Sequence, residues 1–242
     1  MAAAMAAVFL WGCGAFQDIR PQAEEAADER IYIQDNGEMV IVGFSQIGSE
    51  SIWRTANTNS IQRALTKERG YFLITDNARQ KQENQIKAIR RYISQRVDYI
   101  VLSPITESGW DTVLEEAREA GIPVILADRC VDADASLYTT WVGTDSFQEG
   151  EKAGRWLEEN LKEKNRLYED INIVILQGTP GSSAERGRTE GFASVASRYG
   201  NWHILDCQSG DFTTAKGKEI MEQFLASYPD IDVVVCQNDD MT

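Results

Sequence analysis

Histidine is nearly missing from this 242-residue chain: the one copy, His203, follows Trp202 at the start of an apolar run. A single imidazole leaves little material for histidine-based acid–base or metal chemistry, and a structural role is expected for it. Cysteine is scarce as well. Cys13, Cys130, Cys207 and Cys236 include no pair at metal-finger spacing, and a disulfide framework is not expected in a chain of this length. No GxSxG elbow, P-loop or strand-following GxGxxG occurs, so the common signatures of serine hydrolysis, nucleotide hydrolysis and dinucleotide binding are absent. Basic charge is in deficit, with 24 Lys and Arg against 38 Asp and Glu, a formal charge of -14 and no basic stripe. That balance speaks against a nucleic-acid partner. The apolar stretch at 2–11 is too short to span a bilayer as a helix. We expect no catalytic residue, no cofactor and no metal.

What is present begins at that stretch. Leu10-Trp11-Gly12-Cys13 closes it in a way that resembles a bacterial lipoprotein signal, in which the cysteine becomes the lipidated first residue of the mature protein. The positive n-region of an export signal is missing. We expect residues 1–13 to be a signal segment with Cys13 as the lipidation site. Residues 14–37, with Glu24, Glu25, Asp28 and Glu29 and little to bury, are expected to form an acidic tether.

From Met39 onward short apolar runs alternate with helical spacings. Strands are predicted over Met39–Phe44, Tyr71–Ile74, Asp98–Leu102, Val124–Ala127 and Leu137–Val142. Helices are predicted over Trp53–Arg69, with Gly70 as its C-cap, over Gln80–Gln95, with Ile86, Ile89 and Ile93 on one face, and over Glu107–Ala120. At Gly143-Thr144-Asp145 the pattern restarts: helix Phe147–Leu161, strand Ile171–Leu176, a Gly/Ser loop, helix around Phe192–Ser197, strand Trp202–Cys207, helix Thr214–Ala226 and strand Asp232–Cys236. Such alternation is the mark of an α/β fold with parallel sheets and right-handed crossovers. We expect two Rossmann-like lobes, 38–143 and 144–242. The last strand should be covered by a helix, and the chain stops where one would begin, so a fragment of a longer protein, with an incomplete second lobe, is expected.

One stretch concentrates the chemistry. Gly121-Ile-Pro-Val-Ile-Leu-Ala-Asp128-Arg129 is an apolar run, expected to be buried on both faces, that ends in a carboxylate and a guanidinium. In open α/β sheets, ligands bind outside the carboxyl ends of the strands. The loop 45–53, the loop 178–188 with Arg186 and Arg188, and 237–240 fall at other such ends. Carboxylates, guanidiniums, amides and a tryptophan are materials for gripping a polyhydroxylated ligand: the polar groups exchange hydrogen bonds with hydroxyls and the ring takes the apolar face of a sugar.

Five segments then carry a resemblance, in order along the chain: Gly43-Phe-Ser-Gln-Ile-Gly-Ser-Glu-Ser-Ile-Trp53, Gln80-Lys-Gln-Glu-Asn-Gln-Ile-Lys87, Asp128-Arg129, Ser209-Gly-Asp-Phe-Thr213 and Asn238-Asp-Asp-Met241. Together they resemble the periplasmic sugar-binding proteins of ABC importers, the type I ribose- and galactose-binding group, and within it the galactofuranose-binding branch. The resemblance implies an extracytoplasmic, non-enzymatic protein that closes on one monosaccharide, a hexose or pentose, between two lobes and delivers it to membrane permease subunits. It implies sugar contacts from Glu50, Trp53, Arg54, Asp128 and Arg129 in the first lobe and from Arg188 and Asn238 in the second. Whether Arg186 or Arg188 points inward stays open, as does pairing of Cys207 with Cys236. Attachment to the membrane would be through the Cys13 lipid alone.

The same fold serves as a ligand-sensing domain in LacI-type regulators, chemoreceptors and sensor kinases. A regulator would need a basic helix-turn-helix of about fifty residues before the first strand, and the short acidic segment does not supply one. A receptor would need a transmembrane helix.

Overall fold

The computed structural model describes residues 38–242; the expected leader with Cys13 and the tether at 14–37 lie outside the described residues. Two parallel sheets organise the described chain. The first contains β1 (Val40–Gln46), β2 (Tyr71–Asn77), β3 (Tyr99–Leu102), β4 (Val124–Ala127) and β5 (Thr140–Val142) in the order β2-β1-β3-β4-β5. The second contains β6 (Ile171–Gln177), β7 (Trp202–Ser209) and β8 (Val233–Cys236) in the order β7-β6-β8. All pairings among the described residues are parallel, so the expected α/β class is the observed one. In each sheet the chain goes one strand outward and then returns across its first strand. The carboxyl ends of β1 and β3, and of β6 and β8, therefore flank switch points, where a doubly wound sheet opens a crevice.

Helical connections follow the apolar spacings. On α2 (Gln82–Gln95), Ile89 is buried and Ile86 and Ile93 pack against the same core, joined by Val113, Leu114 and Ala117 of α3 (Asp111–Glu119). Trp110 and Tyr92 are fully enclosed there. The Tyr92 ring presses on the β1 backbone at Gly43, where any Cβ would come within 2.5 Å of it, and its hydroxyl donates to Phe44 O at 2.9 Å. In the second sheet β6 is buried on both faces: Ile171, Ile173 and Ile175 meet Leu157, Leu161 and Phe192, while Val174 and Leu176 meet Ile220 and Phe224. These come from α4 (Ser146–Glu163), α5 (Ser183–Ala196) and α6 (Thr214–Ser227). Ser182 caps α5 by accepting from Glu185 N.

Four expectations need correction. Helix α1 (Ile52–Ala64) ends five residues before Arg69; Thr66 is extended, and Gly70, at φ 84°, closes a separate 3-10 turn over Lys67–Arg69. Arg54 is the one buried residue of α1. Strand β5 starts at Thr140 because Asp134 accepts from Ser136 N and winds Ala135–Leu137 into a 3-10 turn. Strand β4 is fully buried on one face only, through Val124 and Leu126, since its outer neighbour β5 is short and exposed. Helix α3 starts at Asp111, leaving Glu107 in the loop after β3. Cys207 and Cys236 cannot pair: β6 lies between their strands, which sets them about 9–10 Å apart, beyond disulfide reach. Cys130, Cys207 and Cys236 are free thiols.

One buried amide clamps the two central strand ends. Gln85 Nε2 donates to Ser103 O at 2.7 Å and Ser45 O at 3.4 Å, and its Oε1 accepts from Ile105 N at 3.1 Å. Gln85→Leu would take the partner from Ser103 O and Ile105 N, each loss costing about 1–3 kcal/mol, while Ser45 O keeps its bond from Ser103 N. We expect the variant to lose about 2–4 kcal/mol in a denaturant titration; a loss below about 1 kcal/mol would show that the clamp is dispensable.

Candidate functional site

The first loop owes its shape to a cap. Ser51 Oγ accepts from Arg54 N at 3.1 Å, starting α1 and placing Glu50, Trp53 and Arg54 around its first turn. Arg54 then turns inward and is 4% exposed. Its Nε lies 3.3 Å from Glu50 Oε1, and its Nη1 donates to Asp128 Oδ2 at 3.0 Å and to Gln46 Oε1 at 3.4 Å. The guanidinium also sits 4.8 Å from the centroid of Trp53, a ring that is half exposed. Glu50 Oε2 is buried and has no hydrogen-bond partner among the described residues. A buried carboxylate oxygen left without a donor is an acceptor in waiting.

At the end of β4 the backbone turns sharply. Asp128 has φ 70°, a left-handed conformation that Asp tolerates better than most residues. Its N–H donates to Val142 O at 2.8 Å and its carbonyl accepts from Trp141 Nε1 at 3.2 Å, so β5 holds the turn. Arg129, 3% exposed, donates from Nη1 to Ile105 O at 2.8 Å and reaches Thr179 Oγ1, in the loop after β6, at 3.5 Å. Burial draws its pKa down to about 10, and the Arg54 charge acts in the same direction; Asp128 and Glu50 oppose them. It remains a cation at neutral pH.

The second sheet meets this pair through Phe212. Asp211 and Phe212 take φ 53° and 58° after β7, and the Phe212 ring lies 5.3 Å from the Arg129 guanidinium and 5.8 Å from that of Arg188. The ring rests on Gly178, where a Cβ would come within 1.9 Å of it. Asn238 Nδ2 donates to Phe212 O at 3.3 Å and Asp240 Oδ2 at 3.2 Å, and Asn238 Oδ1 is a second buried acceptor without a partner among the described residues. Burial also lowers the Arg188 pKa, with the Asp128 charge the leading opposing influence. Arg186 goes elsewhere: it is exposed, 3.1 Å from Glu107 Oε2 and 3.8 Å from Glu190.

All seven residues singled out in the sequence thus fall in one connected cluster. Glu50, Asp128 and Arg129 come from loops at the first sheet's carboxyl edge and Trp53 and Arg54 from the first turn of α1; Asn238 follows β8 and Arg188 lies on α5. Sequence reasoning placed Phe212, Thr179 and Ser45 in the polar segments it singled out without giving them a role, and it passed over Ser103; the buried hydroxyls of Ser45 and Ser103 lack partners among the described residues. The visible signal was position, since each lies within three residues of a strand's carboxyl end. His203 lies far off, at the amino end of β7, beside Asp170 at 2.9 Å. Among the described residues no group of side chains could hold a metal ion, and no helix is long and apolar enough to cross a membrane. A surface depression of about 450 Å³ lined by Met39, Phe72 and Arg96 sits at the amino ends of β1 and β2, opposite the cluster. Neutral-pH charges, unpartnered acceptors and an aromatic surface suit reversible recognition of hydroxyls; the cluster contains no paired nucleophile and base.

Comparison with known proteins points the same way. Residues 42–242 match the family model described as the periplasmic binding protein domain. The galactofuranose-binding protein YtfQ of Escherichia coli (strain K12) is 45% identical over 204 residues, 83% of this chain and 62% of that protein. A Mycobacterium smegmatis structure in complex with beta-D-fucofuranose is 47% identical, with a TM-score of 0.78 over 84% of this chain and 66% of that one. The binding component of an arabinose ABC transporter from Shewanella sp. ANA-3, bound to alpha and beta-L-arabinofuranose, is 44% identical, with a TM-score of 0.76 over 83% and 65%. The chain therefore spans less than two thirds of the length of that curated relative.

Proposed function

This chain belongs to the periplasmic binding protein domain family, and from that premise we propose that it is the solute-binding component of an ABC-type sugar importer. Its ligand is a monosaccharide in furanose form, galactofuranose or a related hexose or pentose, held between a lobe at 38–143 and a lobe at 144–242. The observation that carries this reading is the convergence of three guanidiniums, two carboxylates and an amide from two sheets around acceptors, Glu50 Oε2 and Asn238 Oδ1, that lack donors among the described residues. Sugar hydroxyls would donate to Glu50, Asp128 and Asn238 and accept from Arg54, Arg129 and Arg188. The apolar face of the ring would lie against Trp53 or Phe212. The furanose ligands of the related structures support the ring form. No chemistry is done on the sugar; the protein works outside the cytoplasm, tethered through a lipid on Cys13, and hands its ligand to membrane permease subunits.

The test is calorimetric titration of the folded chain with galactofuranose, arabinofuranose, fucofuranose and the corresponding pyranose-locked glycosides, with tryptophan fluorescence recorded in parallel. We expect saturable binding of a furanose sugar, a fluorescence change that Trp53→Phe diminishes, and loss of membrane association in cells on Cys13→Ala. A folded chain that binds none of the panel would end this reading.

A further inference from the structure

Outside the cluster, where the loop after β3 meets the start of α5, a carboxylate is buried that sugar recognition does not use. Glu107 is 7% exposed. Its N–H donates across to Gly181 O at 2.9 Å, its carbonyl accepts from Asp132 N at 3.0 Å, and Arg186 Nη1 stands 3.1 Å from its Oε2. Nearby, Cys130 N donates to Ser183 Oγ at 3.0 Å, a second bond between elements of the two sheets. The charged groups facing Glu107 are Arg186, Glu185 and Glu190 on α5 and Asp132 on the segment after β4. Three carboxylates thus surround it against one guanidinium, which is itself exposed and also close to Glu190. An exposed arginine offsets little of what it costs to bury a carboxylate.

From this geometry we propose that Glu107 is a proton-dependent brake on closure: ionised, it resists being covered by α5, and protonated, it lets the two halves close. The consequence is tighter ligand retention in mild acid than at neutral pH. This inference rests on reading the cluster as a ligand site between halves that close. The sign follows from burial, which raises the Glu107 carboxyl above the ordinary range in the closed form; Arg186 opposes this, and Asp132, Glu190 and Glu185 reinforce it. In an open form the solvated carboxyl would titrate near the usual value of about 4.3. The closed form then binds the proton more strongly, so closure is favoured as pH falls through the raised value, and the gain levels off below the ordinary one. Each unit of difference between the two values amounts to about tenfold in the closure equilibrium.

Two measurements test it. The first is amide hydrogen exchange by NMR on the ligand-free chain, following Glu107 and Cys130, whose acceptors lie across the interface, and correcting for the pH dependence of intrinsic exchange. Protection of both should rise progressively as pH is lowered from 7.5 to 4.5 while β6 amides stay unchanged. Glu107→Gln should show high, pH-independent protection, Arg186→Gln reduced protection at pH 7.5, and the double variant the behaviour of Glu107→Gln. Flat or falling protection in acid, or looser amides in Glu107→Gln, would overturn the brake. The second is titration with galactofuranose in buffers of different ionisation enthalpy, where the wild type should take up protons on binding and Glu107→Gln should not. Sugar binding with pH-independent protection would sink the brake alone; pH-dependent protection without any sugar binding would sink the importer reading alone.

Discussion

Replacing Asp128 with alanine is expected to lower sugar affinity by about 10²–10⁴-fold while the chain stays folded. Each charge-assisted hydrogen bond to a hydroxyl contributes about 1.5–3 kcal/mol, and a carboxylate can hold two, which gives the range. The same carboxylate receives Arg54 Nη1 at 3.0 Å, so its removal also frees a buried guanidinium to swing toward Glu50, its other carboxylate partner. Alanine adds a backbone cost. At φ 70° an ordinary L-residue is disfavoured by about 1–2 kcal/mol, so part of any loss in Asp128→Ala could be misplacement of Arg129. Asp128→Asn separates the two effects, because asparagine tolerates the left-handed conformation and keeps one acceptor while discarding the charge. Calorimetric titration of both variants, alongside thermal melts, checks the expectation. Wild-type affinity in Asp128→Ala would remove this residue, and the arrangement around it, from the proposed site.

Much of this arrangement was legible because it depends on strand ends. An apolar run that stops at a charged pair locates Asp128 and Arg129 at a carboxyl edge whatever the rest of the chain does. The ambiguity between Arg186 and Arg188 was of another kind. Two positions on a helix differ by about 200°, so at most one could face the cleft, but which one depends on the rotation of α5 about its axis. That rotation is set by Gly187 and Gly191, which turn toward α4; Arg188 then falls on the Phe212 side and Arg186 on the rim. The place of Phe212 near a strand end was legible, but its contacts were not. An aromatic beside a strand ordinarily joins the core, and this one does, with Val174, Leu176 and Phe224; that its ring also reaches two guanidiniums depends on two successive left-handed residues. The length of α1 was misread because Gly70 is indeed a cap, but of a 3-10 turn.

The glycines that rotate α5 lead to the largest expected effect on stability. Gly150 on α4 lies against the α5 backbone, and Gly187 and Gly191 on α5 lie against the α4 backbone, so closely that added side chains strike main-chain atoms, while Gly154 meets the Val195 side chain. A Cβ at Gly150 would lie 2.3 Å from Arg188 O and 2.8 Å from Phe192 N; one at Gly191 would lie 2.0 Å from Phe147 O. Side chains can rotate away from such an intrusion, but hydrogen-bonded helix backbone cannot, so the helices must part. We expect Gly150→Val to cost about 4 kcal/mol or more, above the 1–3 kcal/mol usual for an overfilled core. The sharper test is Gly150→Ala, since in an open helix that change stabilises by about 1 kcal/mol. Here the sign should reverse. Gly200, where a Cβ would meet nothing within 4 Å, supplies the control, and Gly200→Ala should leave stability unchanged or slightly raised. Because the struck atom is the carbonyl of Arg188, any Gly150→Ala chain that still folds should also bind sugar less tightly, its guanidinium displaced from Phe212. Denaturant midpoints and titrations on the three variants decide the matter, and a Gly150→Ala chain as stable as the wild type would show that α4 and α5 can separate at little cost.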